Sequence, residues 1–177
     1  MMKPIDSYWD LLGPHCESIN IYKDQETLAD SIADIPRHVV LLYAAHMCQS
    51  EVHNGGFLQL FWNSTGIIVP FGIEAYKTIG MPTLASLLEQ AAQPLGSPYP
   101  LDRDERWDAL VQASTLSEAD LESLFKTETN LYVAFVKATE NLPFDNLDRQ
   151  FWDAAKTENG GFETAATRYA QGPFLLQ

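Results

Sequence analysis

The chain has 177 residues, 46% of them hydrophobic, with nine Phe, seven Tyr and four Trp spread along its length; this supports a folded core and excludes a disordered acidic tail. Twenty-four Asp and Glu oppose eleven Lys and Arg, giving a formal net charge of -13 at pH 7, so nucleic acid and anionic lipid repel it and cationic protein surfaces attract it. Two cysteines, Cys16 and Cys48, are too few for a secreted disulfide framework, Met1–Leu12 carries no signal-type apolar run, and no stretch reaches the roughly 18 residues of a membrane span, so a cytoplasmic protein is expected.

Apolar residues recur at helical spacing, and the one short β-branched run is Ile67, Ile68 and Val69. The expected fold is therefore all-α: a compact multi-helix single domain over residues 1–177, with a buried central helix. In chain order, a first helix is expected over Ile5–Leu12, and Gly13-Pro14 ends it or bends it into a short second helix around His15–Ile19. From Asp24 to Ile35, Leu28, Ile32 and Ile35 share one face while Glu26, Asp30 and Asp34 recur at steps of four on another. Pro36 suits the first turn of the central helix, which runs through Val39–Ala45 to Asn54. Asn54-Gly55-Gly56 closes it, and Phe57–Ser64 begins another.

Further helices are expected over Pro70–Ile79, Thr83–Ala92, Arg103–Ala113, Glu118–Asn141, Asp145–Glu158 and Phe162–Ala170. Residues 94–100, with three prolines and a glycine, form the best internal connector. The tetrapeptide Asn-Gly-Gly-Phe occurs at 54–57 and again at 159–162. Little else matches between the copies, so they read as two uses of one helix-stop chemistry.

Three acidic clusters could carry function. Glu26, Asp30 and Asp34 lie roughly 6 Å apart along one helix edge, similar to phosphates on a DNA strand. Asp102, Asp104, Glu105 and Asp108 follow the connector, diluted by Arg103 and Arg106. Glu118, Asp120 and Glu122 sit beside the capping Ser117 at a helix start, where carboxylates also favour the helix dipole. A charge run by itself is ordinarily the solvated face of a helix. Duplex DNA carries one charge per ~1.7 Å, so a homodimer with twice the -13 of one chain matches about 44 Å of duplex. Half-sites of dimeric helix-turn-helix proteins lie ~34–36 Å apart.

Other chemistry finds weaker support. His46, Glu51 and His53 could hold a metal or act as acid and base in a small hydrolase, but His46 and His53 are two helical turns, about 10 Å, apart. Cys48 sits among apolar residues, as an inert thiol does. Gly55-Gly56 has no Lys or Arg nearby to hold a phosphate. Direct DNA binding has the wrong charge sign, and no cofactor is expected. Trp62 and Trp107 suit core packing better than a dimer contact.

From Glu51 to Gly66 the chain reads Glu-Val-His-Asn-Gly-Gly-Phe-Leu-Gln-Leu-Phe-Trp-Asn-Ser-Thr-Gly. This stretch, continued through Ile73–Gly80 and the helix after Met81-Pro82, resembles a family of small acidic bacterial proteins that includes a DNA mimic. The resemblance implies an all-α, dimeric protein whose carboxylates imitate phosphates and occupy the DNA-binding face of a helix-turn-helix transcription factor. The shared residues read as structural, so the mimicking groups must be exposed acids elsewhere. The same charge would also serve an immunity-type inhibitor of a cationic nuclease.

Overall fold

The structure, a computed structural model, describes residues 5–172, and half of its α-helices start at a side-chain cap. Its α-helices are α1 (Tyr8–Leu12), α2 (Gln25–Ile32), α3 (Arg37–Trp62), α4 (Val69–Thr78), α5 (Pro82–Ala92), α6 (Arg103–Gln112), α7 (Glu118–Thr127), α8 (Leu131–Ala138), α9 (Phe144–Thr157) and α10 (Phe162–Ala170). No strand occurs among the described residues; of the β-branched run, Ile67 and Ile68 end a 3-10 turn, Ser64–Ile68, and Val69 opens α4. The side chains of Ser7, Asp24, Asp102, Ser117 and Asn130 cap α1, α2, α6, α7 and α8, each accepting backbone N–H groups that have no partner inside the helix.

α3 is the central helix. Val39, Val40, Leu41, Leu42, Tyr43, Ala44 and Ala45 are consecutive and buried, and the helix packs against α1, α4, α6, α9 and α10. A helix apolar all round survives in water only when covered on every side. Residues before and after the connector share one core, so the protein is a compact all-α single domain. The connector is itself tied down: the Tyr99 hydroxyl donates to the Gly66 carbonyl at 2.8 Å.

Four sequence expectations change. α1 begins at Tyr8, three residues later than expected, because Ser7 rather than a residue further back provides the cap. Only a 3-10 turn, Gly13–His15, follows it, and no helix forms over His15–Ile19. The helix expected over Glu118–Asn141 is two, because Asn130 accepts the Val133 N–H at 3.1 Å and starts α8 afresh. Asn54-Gly55-Gly56 kinks α3 instead of ending it: Gly56 adopts φ 77° and ψ -179°, and the helix resumes to Trp62. The carboxylate of Asp148 on α9 supplies the missing cap, accepting the Phe57 N–H at 2.8 Å. A side chain at Gly56 would put its Cβ 2.3 Å from the same carboxylate, so both backbone angle and space require glycine. At the second copy, Asn159, Gly160 and Gly161 all take positive φ and form a turn between α9 and α10.

Candidate functional site

Motif residues form a partly buried polar joint around the kink. Glu51, one turn before it, accepts hydrogen bonds from Gln59 Nε2 at 2.8 Å, Asn63 Nδ2 at 3.0 Å and Thr65 Oγ1 at 2.8 Å. One carboxylate thus ties the two halves of α3 to the turn after it. Arg106 of α6 closes the joint from the other side. Its side chain is fully buried, and the guanidinium donates to the carbonyls of Phe61 at 3.2 Å, Asn63 at 3.0 Å and Leu101 at 2.7 Å. Two of these carbonyls terminate α3, where a cation also complements the helix dipole. Burial lowers the Arg106 pKa from its ordinary value, but guanidinium stays charged throughout the useful pH range. Gly66 makes room for it, since a Cβ there would lie 2.6 Å from Arg106 Nε.

The histidines of the same helix lie outside this joint. His46 is half-buried, its Nδ1 is 3.1 Å from the Tyr8 hydroxyl, and burial lowers its pKa. His53 Nδ1 donates to the Gln49 carbonyl at 2.9 Å. Glu51 accepts from three side chains of the joint. The three side chains therefore serve separate hydrogen-bond systems, and no metal-ligating group of three His, Cys, Asp or Glu occurs among the described residues. Cys48 is fully buried, and burial raises its thiol pKa far above the reactive range.

All ten acids singled out by spacing are exposed, and among the described residues none is in an ion pair. Glu26 and Asp30 lie on α2, but Asp34 falls in the turn after it, so the regular step of four stops at Asp30. The end is local: the Ala33 N–H donates to the Asp30 carbonyl, three residues back, and the chain turns there before Pro36, which precedes α3. Asp102 caps α6 by accepting N–H groups from Asp104 and Glu105, with Asp104, Glu105 and Asp108 following on that helix.

Of the two arginines beside the second cluster, Arg103 stays exposed and Arg106 does not. Arg106 points inward, and Arg103 lies over the Trp107 ring at 4.7 Å. Glu118, Asp120 and Glu122 lie on α7, which has no buried residue; Ser117 donates to Asp120 at 2.6 Å.

Asp24, Gln25, Asp102 and Glu105 share the rim of one open hollow, placing the starts of α2 and α6 side by side. Phe125 of α7 lines an apolar groove with Trp62, Trp107 and Asp108. Trp62 and Trp107 stack on each other at 4.1 Å, and Trp107 Nε1 donates to the Trp62 carbonyl. Sequence reasoning missed Asp24, which reads only as a helix boundary; its carboxylate accepts the Thr27 N–H, and that bond lowers its pKa. It also missed Glu51 as a structural residue, although the spacing to Gln59 and Asn63, eight and twelve residues, was the available signal.

A family model described as DMP19-like protein matches residues 33–172. No curated protein and no solved structure matches the chain. The family match covers the kink, the joint, the α6 and α7 acids and Asp34, and leaves Glu26 and Asp30 outside it. No described helix is long and apolar enough to cross a membrane.

Proposed function

The chain belongs to the DMP19-like protein family, a family of DNA mimics, and from that membership we propose that it is a non-catalytic mimic of double-stranded DNA. Its exposed carboxylates take the place of phosphates on the DNA-binding face of a helix-turn-helix transcription factor and keep that factor off its operator. Glu26, Asp30, Asp34, Asp102, Asp104, Glu105, Asp108, Glu118, Asp120 and Glu122 are the phosphate-mimicking groups. The active species is a cytoplasmic homodimer.

One observation carries this reading: an acidic family member with a net charge of -13 leaves these ten carboxylates exposed and outside any ion pair among the described residues. Charges of one sign held on a rigid helical frame attract the Arg and Lys that otherwise meet DNA, and steer association over long range. The family motif contributes rigidity rather than contact, since Glu51, Gln59 and Asn63 are used on one another.

The test is capture of host proteins on immobilised chain at low salt, followed by elution with duplex DNA. Release of a sequence-specific regulator by duplex supports mimicry. Capture of a nuclease alone supports an immunity-type inhibitor instead, and retention of no basic protein leaves the charge as a solubility device.

A further inference from the structure

Where α8 and α9 cover the kink of α3, the surface opens into a cleft of about 460 Å³, within the size range of sites that enclose a side chain or small ligand. Leu58, Tyr132, Val136 and Leu142 give it an apolar and aromatic wall, and Glu140, Asp145 and Asp148 give it three carboxyl groups. No Lys or Arg lines it, and none of the three acids is in an ion pair among the described residues. Unlike the solvated acids of α2, α6 and α7, Asp148 cannot swing into water: its Oδ1 is fixed by the Phe57 N–H at 2.8 Å, and the carboxylate is lodged against Gly56. Burial, with Asp145 adding to it, pushes its pKa up to about 6. It is an anion held in a cavity without a counter-charge.

We infer that this cleft is a socket for one arginine side chain of the protein partner, whose stem lies on Leu58, Val136 and Leu142 and whose guanidinium meets Asp145 and Asp148 beside the Tyr132 ring. Arginine fits because its planar head can both stack on an aromatic face and donate to two carboxylates, and because it is more weakly hydrated than an ammonium. The inference rests on the proposal that the partner is a basic protein. It adds a single anchored residue to an otherwise diffuse charge match, as buried arginines do at the centres of interfaces.

The experiment is a titration of the 15N-labelled full chain with the blocked tripeptide Gly-Arg-Gly at about 0.15 M salt, repeated with citrulline and with lysine in the central position. The expected result is saturable amide shifts confined to Gly55, Leu58, Tyr132, Val136 and Asp148 for the arginine peptide, at least tenfold weaker binding of the lysine peptide, and no response to citrulline. Asp148→Asn, which keeps an acceptor for the Phe57 N–H, is expected to weaken arginine binding at least tenfold. Val136→Trp, which fills the cleft without changing charge, is expected to abolish it.

Shifts spread equally over α2, α6 and α7, an equal response to citrulline or lysine, or indifference to both variants overturns the assignment. The two proposals fail separately. If both variants hold the captured regulator as tightly as the unmodified chain and duplex still displaces it, the socket is wrong and mimicry stands. If duplex never displaces a partner from the unmodified chain, mimicry is wrong whatever the peptide does.

Discussion

Glu51 accepts hydrogen bonds from three side chains that follow it in the chain, and it is not exposed. Removing the carboxylate strands three donors in a partly buried place, and each costs on the order of 1 kcal/mol or more when left unmet. Glu51→Ala is therefore expected to lower unfolding free energy by about 3 kcal/mol in urea titration, while leaving the exposed acids untouched. Asp148 differs, because its carboxyl is held above the ordinary 3.8, at about 6. Between those values the folded chain holds a proton that the unfolded chain has released, so this group's contribution to stability is full at low pH and is lost as pH rises to about 6. Unfolding at about pH 4 and about pH 7 should show the unmodified chain losing stability relative to Asp148→Asn, whose amide does not titrate. The role of Glu51 had a signal in its spacing to Gln59 and Asn63, whereas Asp148 reads in sequence as one more acid on a helix. Asp148 depends on a partner that only the fold brings close, Phe57 being 91 residues away.

At the scale of elements, sequence was a good guide wherever local chemistry decides. Arg103 opens α6 as expected, α5 begins at Pro82, one residue before the expected Thr83, and Phe162–Ala170 is helical over its predicted span; consecutive apolar residues marked α3 as central. It was a poor guide where a tertiary contact decides. Asn54-Gly55-Gly56 has the composition of a stop, yet α3 continues, because Asp148 caps its second half from another helix. Glu158, beside the second Asn-Gly-Gly, likewise accepts the Thr83 and Leu84 N–H groups and caps α5. The break between α7 and α8 was readable in Asn130 but was outweighed by apolar periodicity on either side. Gly56→Ala tests the kink: it combines a left-handed angle with collision against Asp148, and should cost about 2 kcal/mol or more in thermal or urea unfolding. A cost near zero would mean that the helix can straighten.

For the molecule as a whole, composition carried most of the functional argument. The sign and size of the charge were plain, and so was the all-α class. The arrangement of the acids was not: spacing put Asp34 in line with Glu26 and Asp30, whereas the structure ends α2 before it and instead sets the start of α2 beside the start of α6. Folding also turns Arg106 inward and lays Arg103 on Trp107, leaving the α6 acids less compensated than a residue count implies. The three ion pairs among described residues, Arg37–Glu74, Lys77–Glu89 and Lys137–Glu128, use none of the acids assigned to mimicry.

The most direct measurement is competition: a captured regulator bound to its labelled operator duplex, titrated with the chain at increasing salt and followed by fluorescence anisotropy. Mimicry predicts full displacement of the duplex by the chain, steep weakening of the chain–regulator complex as salt rises, and loss of displacement when Asp102, Asp104, Glu105 and Asp108 are changed to their amides. A ternary complex of chain, regulator and duplex, or displacement that survives those changes, would contradict it.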